Sequence, residues 1–287
     1  MMQECFLSKR FMEAYRAFRR CLEQAGFECA QSDTRILFEW AGVPIQRMLA
    51  SPEEVLSDEQ ADRLRYALEK RLTHMPVQYI TQEAYFVGYR FAVAPGVLIP
   101  RPETEILVQR AKTCLESGFR MLDLCCGSGC IGISAHLLYG AQVVCADISE
   151  VCVRVTQDNI AQHGCTKHVH ACRSDLFDGL KGQRFDVIAC NPPYIPRSEM
   201  QSLMKDVYEY EPHTALDGGA DGLDYYRALA HGIAEFLTPR GHVLLEVGYD
   251  QAQSVAALFE KDFLNIDIYQ DLSGIDRVVH LSGGKGH

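Results

Sequence analysis

The stretch that most narrows the fold begins at Arg120. There the pattern becomes strand, glycine loop, helix, strand, and then repeats. Met121-Leu122-Asp123-Leu124 reads as a strand, Gly127-Ser128-Gly129 as a loop, and Ile131 to Leu138 as a helix. Gln142 to Ala146 form the next strand, ending in Asp147. A helix from about Ser149, a strand from His168 to Cys172, and the run Phe185-Asp186-Val187-Ile188-Ala189-Cys190 follow. This alternation predicts a parallel, doubly wound α/β sheet with ligands at the carboxyl ends of its strands.

Gly127-x-Gly129-x-x-Gly132 matches the dinucleotide fingerprint, and Asp147 stands about twenty residues on, as that fingerprint requires. The glycines allow a tight turn and close backbone approach, and the acid can accept both hydroxyls of a ribose. An adenosine-containing cofactor follows, with NAD and S-adenosylmethionine both open. Asp123 favours the methyl donor: a carboxylate there repels a pyrophosphate but suits the ammonium of a methionine moiety.

The last strand of the series ends in Asn191-Pro192-Pro193-Tyr194. Two prolines hold the backbone extended and turned, leaving carbonyl oxygens without ladder partners beside a side-chain amide and an aromatic ring. Such a set can hold a planar amide or amidine: acceptors for its NH2 group, and Tyr194 to lie against its face. As a bare string it also fits an ordinary strand-to-loop turn. With the Asn191 side chain and the Pro192 backbone oxygen as acceptors, catalysis is chiefly alignment, and no strong general base is required.

Around this core, residues 1–75 read as a small helical bundle. Phe11, Tyr15, Phe18 and Leu22 share one face, Ala41-Gly42 ends a second helix, and Ser57-Asp58-Glu59-Gln60 has the form of a capping box opening a third with Leu64, Leu68 and Leu72 inward. Lys9, Arg10, Arg16, Arg19 and Arg20 give the first helix a basic side, read as a solvated face or a docking surface. Residues 76–102 form a linker, with two short strands turning near Gly88 and Pro102 suited to a helix's first turn. Residues 103–287 form the α/β domain. Its later part holds a helix Leu223–Phe236, a strand Val243–Val247, a helix Gln251–Glu260, and an antiparallel pair near Ile266–Tyr269 and Arg277–His280. Residues 197–222 read as a lid over the substrate or a static loop.

Charge and cysteines narrow the classes. A formal charge of −10 over 287 residues disfavours a phosphate-tracking surface. No apolar run reaches transmembrane length and the start lacks a signal-peptide core, so a cytoplasmic protein with reduced thiols is expected despite twelve cysteines. His163, Cys165, His168, His170 and Cys172 form the cluster worth testing for zinc. It lacks a second paired-ligand element, so no metal is expected.

Taken together, Pro76-Val77-Gln78-Tyr79-Ile80, Leu98-Ile99-Pro100-Arg101-Pro102-Glu103-Thr104-Glu105, Asp123 through Gly129, Asn191-Pro192-Pro193-Tyr194-Ile195-Pro196, Glu211-Pro212, Leu216-Asp217-Gly218-Gly219 and Gly274-Ile275-Asp276-Arg277 resemble the HemK/PrmC family of release factor N5-glutamine methyltransferases. The likeness covers essentially the whole chain. It implies a class I, Rossmann-like, S-adenosylmethionine-dependent methyltransferase domain with a small helical N-terminal domain for release-factor recognition. The implied substrate is the glutamine of the Gly-Gly-Gln loop in bacterial class 1 release factors, with a monomer and no direct nucleic acid or membrane partner expected. Carried over residue by residue, Cys125, Cys126, Gly127, Ser128 and Gly129 form the cofactor loop, Asp147 binds the ribose, and Asn191, Pro192, Pro193 and Tyr194 form the substrate motif. Members often have glycine where Cys125 stands, a place a small thiol fits if φ stays negative. Some have tryptophan where Leu176 covers the purine without stacking on it.

The nearest rival is an N6-adenine nucleic-acid methyltransferase, whose target presents the same NH2 group, but it needs base flipping and a surface to grip the strand. A dehydrogenase lacks any obvious hydride-transfer set. A non-catalytic module fits poorly with an intact Asn191 and Tyr194.

Overall fold

The computed structural model describes residues 10–114 and 118–285. It divides into two units, Met1–Gln82 with Lys205–Tyr210, and Glu83–Met204 with Glu211–His287.

The first unit is helical, built from α1 (Phe11–Gln24), α2 (Ala30–Trp40), α3 (Ile45–Ala50), α4 (Asp58–Leu72) and α5 (Val77–Thr81). Its core gathers Phe11, Phe18, Leu22, Leu37, Phe38 and Leu64, with Tyr15 and Phe18 both edge-on to Phe38 at 5.1 and 5.5 Å. The capping box is present at α4: the Ser57 hydroxyl accepts from the Gln60 backbone and the Gln60 side chain accepts from the Ser57 backbone. On the basic side of α1, Arg10 pairs with Glu53 at 2.6 Å and Arg19 with Glu23 at 2.9 Å; Lys9 lies outside the described residues. The segment Lys205–Tyr210 joins this unit through the Tyr210 hydroxyl, which lies 2.7 Å from the Thr73 carbonyl oxygen and 2.6 Å from its hydroxyl. Buried in the middle, Arg71 donates to Asp33 at 2.8 Å and lies 4.2 Å over the Phe27 ring.

The second unit opens with an antiparallel hairpin, β1 (Glu83–Phe86) and β2 (Tyr89–Ala92), turning at Val87-Gly88. A seven-stranded sheet follows, made of β3 (Arg120–Leu124), β4 (Gln142–Asp147), β5 (Val169–Arg173), β6 (Phe185–Cys190), β7 (Leu237–Glu246), β8 (Phe263–Gln270) and β9 (Asp276–Gly284). Its order is β5-β4-β3-β6-β7-β9-β8, parallel from β5 to β7, with β9 antiparallel between β7 and β8. The order reverses between β3 and β6, which makes their carboxyl ends the switch point at which such sheets open a crevice.

Alternation along the strands builds one core on each face. Met121, Val143, Cys145, Val187, Ala189 and Leu244 pack with α6 (Glu105–Cys114), α7 (Cys130–Tyr139) and α8 (Glu150–Gln162). Leu122, Val144, Ile188, Cys190, Val243 and Leu245 face the other way. After α9, the Lys205–Tyr210 segment, they meet α10 (Asp224–Ala230) and α11 (Ala252–Phe259).

Two elements differ from the sequence expectation. The helix expected over Leu223–Phe236 stops at Ala230 and resumes as a 3-10 turn at Ile233–Phe236, because His231-Gly232 interrupts it and Gly232 adopts φ −141°. β7 starts at Leu237, ahead of Val243; Pro239-Arg240-Gly241 is absorbed in a break of register between Phe185 and Val187, where a missing N–H costs no ladder bond.

Ten of the described cysteines are free; Cys21 is disulfide-bonded, contrary to the expectation of reduced thiols throughout. Among the described residues, the run from His163 to Cys172 is not gathered into a ligand set; Cys114, His242 and His280 converge instead, within 4.8 Å of one another. Hydrogen-bonding contacts join these three, His242 Nδ1 to His280 Nε2 at 2.9 Å and Cys114 Sγ to His280 Nε2 at 3.6 Å. No described helix is long and apolar enough to cross a membrane.

Replacing Arg71 by alanine strands the Asp33 carboxylate in the helical core. The expected loss is about 3 kcal/mol of that unit's stability, read as a lowered urea midpoint. Arg71→Lys is expected to recover only part of it, because a point charge lacks the planar face lying on Phe27.

Candidate active site

At the switch point, a cleft is walled by the ends of β3, β4 and β6, the loop after β5, and two segments from elsewhere in the unit, Gly96–Thr104 and Pro212–Ala215. Its floor is the turn after β3. Cys126 N–H donates to the Ala146 carbonyl at 3.1 Å and Gly129 N–H to the Cys126 carbonyl at 2.7 Å, which ties the turn to β4. Cys125, Cys126, Gly127 and Ser128 all line the cleft. Gly129 lies behind them as the N-cap of α7. It must be glycine: its φ is +76°, and a Cβ there would sit 2.6 Å from the Thr156 methyl.

Cys125 departs from expectation. Its φ is +59°, in the left-handed region, where a side chain costs roughly 1–2 kcal/mol. Glycine would adopt that conformation without the penalty. The packing behind the turn was not legible in the sequence. Asn159 on α8 donates to the Ser128 carbonyl at 2.9 Å and to the Ala92 carbonyl at 3.0 Å, and accepts from Ala92 N–H at 2.7 Å. It thereby fastens the cofactor-type turn to the hairpin. Thr156 donates to the Gly127 carbonyl at 3.0 Å from the same helix.

Asp147 lines the cleft at the tip of β4. One oxygen accepts from Gly127 N–H and the other from Ser149 N–H, both at 2.9 Å. Burial raises its pKa, and those backbone donors pull it back. The Cys152 thiol and the Ile148 amide also approach it; a carboxylate still has acceptor capacity to offer a vicinal diol. Ile148 and Leu176 supply apolar wall, and Asp175 an acceptor beside them. Leu176 has φ +43°, and its carbonyl accepts from the Ser174 hydroxyl at 2.6 Å.

Asp123 is not in the cleft. Alternation turns it with Met121 toward α7, where Oδ2 accepts from Gly132 N–H at 2.8 Å while Oδ1 has no partner. Burial pushes it up to about 8, which favours the neutral acid, and it points away from the cleft where an ammonium contact was expected.

Asn191 and Pro193 line the cleft, while Pro192 and Tyr194 do not. The Asn191 amide nitrogen donates to the Thr104 hydroxyl at 3.3 Å. Contrary to expectation, the Tyr194 ring packs against the core of the α10–α11 face, and Tyr225 brings a ring to the cleft instead. The backbone of Tyr194 is clamped: Gln251 Nε2 donates to its carbonyl at 2.8 Å. Across it runs 216–222, where Ile195 N–H donates to the Leu216 carbonyl at 2.9 Å and Gly218 N–H to the Ile195 carbonyl at 2.8 Å. A Cβ on Gly218 would lie 2.7 Å from Tyr194 Cα. On the opposite wall, Arg101 pairs with Glu211, whose side chain is fully buried. The motifs Leu216-Asp217-Gly218-Gly219 and Glu211-Pro212 therefore act on the site by holding its backbone.

Residues 13–81 match the PrmC N-terminal domain and residues 102–210 the Methyltransferase small domain. The chain is 38% identical over 270 residues to the release factor glutamine methyltransferase of Geobacter sulfurreducens, covering 93% of each chain.

The chain belongs to the release factor glutamine methyltransferase family. A second member, from Thermodesulfovibrio yellowstonii, is 35% identical over 96% of this chain and 99% of its own. Among solved structures, a methyltransferase from Pyrococcus furiosus superposes with TM-score 0.54 at 18% identity, covering 69% of this chain and 91% of that one. The T. thermophilus 16S rRNA N2 G1207 methyltransferase, solved with AdoMet and guanosine, gives TM-score 0.51 at 21% identity, covering 70% and 49%. These two show the Rossmann-like methyltransferase fold.

Gly218→Ala is expected to destabilise the second unit by about 1–3 kcal/mol, since its new methyl meets the backbone of Tyr194 and of Gly222. Thermal melting beside Gly284→Ala, a glycine that likewise lacks positive φ and has open space for a Cβ, checks it: equal losses in the two variants would mean that crowding of the Tyr194 backbone is not the cause.

Proposed function

We propose that this protein transfers a methyl group from S-adenosylmethionine to the side-chain N5 of the glutamine in the Gly-Gly-Gln motif of class 1 peptide chain release factors. The observation that carries the reading is the placement of Asn191. Its amide nitrogen is engaged by Thr104, which leaves Oδ1 as the free acceptor in the cleft that Asp147 and the 125–128 turn also line.

The residues present fit the methyl donor. Asp147 suits the ribose diol, Leu176 and Ile148 the purine faces, and Asp175 the exocyclic amine, while Gly127 leaves open space where a Cβ would stand. Bound there, S-adenosylmethionine supplies an electrophilic methyl on a sulfonium.

The chain's own part is to hold the nucleophile. A carboxamide nitrogen is a poor nucleophile because its lone pair is delocalised. Asn191 Oδ1 accepts one of its hydrogens in the cleft; the Pro192 carbonyl, on a residue that does not itself line the cleft, is the acceptor proposed for the other, and the paired prolines keep both from relaxing. Alignment of this kind contributes up to ~7–11 kcal/mol of barrier reduction. The acceptors also gain strength as positive charge grows on the nitrogen. Pro193 walls the cleft, and Tyr194 fixes the tip through its clamped backbone. The extra proton leaves after transfer, so no general base is assigned.

The N6-adenine alternative uses the same acceptors, but full-length relatives are release factor enzymes by name. Incubating the purified chain and labelled donor separately with release factor, RNA and DNA is expected to label release factor alone, on the Gly-Gly-Gln peptide; label in RNA or DNA only would overturn the reading. Asn191→Ala should abolish most turnover while donor affinity by calorimetry stays near wild type. Asp147→Ala should lose about 1.5–3 kcal/mol of donor affinity.

A further inference from the structure

Behind Asn191 stand two buried polar groups, Thr104, already seen on its amide, and Glu246, which the mechanism has not used. Glu246 ends β7 and is 1% exposed, and its Oε2 has no hydrogen-bond partner. Thr104 precedes α6 and is 3% exposed. Cys190 lies opposite Leu245 in the β6–β7 ladder, so one residue further along Glu246 stands beside Asn191. Both Cys190 and Leu245 face α10–α11. Alternation therefore turns Asn191 and Glu246 together toward α6, where Thr104 waits.

The groups around Glu246 come from every neighbouring element. The nearby Thr104 hydroxyl and Asn191 amide favour its ionised form, and Arg277, near the start of β9, adds an attractive charge. Glu103 opposes these with a like charge. Cys130 from α7, Tyr194 and Tyr226 from α10 all feel the Glu246 charge. The backbone at this point is pinned: the Tyr226 hydroxyl donates to the Glu246 carbonyl at 2.6 Å and Arg277 Nη1 to the Val247 carbonyl at 3.2 Å.

We propose that Thr104 and Glu246 are positioning residues for Asn191: together they engage both hydrogens of its amide, turn Oδ1 into the cleft, and through the carboxylate charge strengthen that oxygen as an acceptor when the substrate nitrogen becomes positive. The proposal deepens the methyl-transfer reading and rests on it. An orienting partner fixes which face of an amide or imidazole does the chemistry, much as outer partners fix the ligands of a metal. A carboxyl that cannot reach the cleft still acts there through the dipole it holds.

Keeping this carboxyl costs stability, which separates the role from a structural one. Burial pushes Glu246 up to about 7 from an ordinary 4.5. Between those values the folded chain holds more protons than the unfolded one, so stability falls as pH rises through that window and stays reduced above it. Removing the charge should therefore stabilise the fold while harming turnover.

Four readouts on the full chain test this. In wild type, kcat on release factor is expected to rise with pH, with a midpoint near the Glu246 value of about 7, and the side-chain NH2 resonances of Asn191 to shift with that midpoint. Glu246→Gln is expected to lower kcat about ten- to a hundred-fold, to flatten both pH dependences, and to raise the melting temperature at about pH 8.5, with KM for release factor and donor affinity unchanged. Thr104→Val should lower kcat and move the Asn191 resonances, and Thr104→Ser should restore both. Resonances that ignore pH and both substitutions would overturn the proposal. So would a Glu246→Gln enzyme with wild-type kcat, or one that loses donor affinity and melting temperature along with kcat. Should wild type fail to methylate release factor, the reading of function falls, and the Asn191 resonances still decide the positioning role.

Discussion

The parallel ladder between β3 and β6, in which Leu124 lies opposite Cys190, is the contact on which the site depends. It joins the two strands where the sheet reverses its order, so the turn at 125–129 and the tip at 191–194 leave the sheet side by side. A glycine loop and an Asn-Pro-Pro-Tyr stretch separated by some sixty residues become one cleft only because these two strands pair. Everything else in the second unit braces that arrangement. Asn159 and Thr156 hold the first turn from α8, and Gln251 with the 216–222 segment holds the second from the far side.

Strand alternation then decides what each residue at the switch point can do. Asp123 and Leu124 are neighbours in sequence, yet Asp123 is buried beneath α7, where the neutral acid is favoured, while Leu124 walls the cleft. The same rule sends Asn191 and Glu246 to one side and Cys190 and Leu245 to the other. A carboxylate that looks available to a ligand in the sequence is thus consumed in bracing a helix N-terminus. A carboxyl with no motif around it stands next to the amide that matters.

Several irregular features belong to this bracing. Cys125 and Leu176 hold positive φ at two edges of the cleft, and such backbone persists only where surrounding contacts over-determine it. The Asp147 carboxylate, held between two backbone amides, and the buried Glu211 against Arg101 show the same economy: charges taken out of water are each given a fixed donor.

From the order of residues alone came the α/β class, the helical first segment, the hairpin at Gly88, the antiparallel closing pair, and both motifs of the site. These are local signals: alternation, glycine spacing, proline pairs and caps each constrain a few neighbouring residues, and the chain obeys them. What the order of residues could not decide was every relation between distant segments: the φ of Cys125, the burial of Asp123, the ring of Tyr194 laid against the α10–α11 core, the joining of Lys205–Tyr210 to the first unit, and the placing of Thr104, Asn159 and Glu246 around the cleft. Those depend on which strands pair and on which face each residue leaves them. That choice is made by packing over the whole sheet, since shifting a strand by one residue exchanges its buried and exposed sides without altering any local motif.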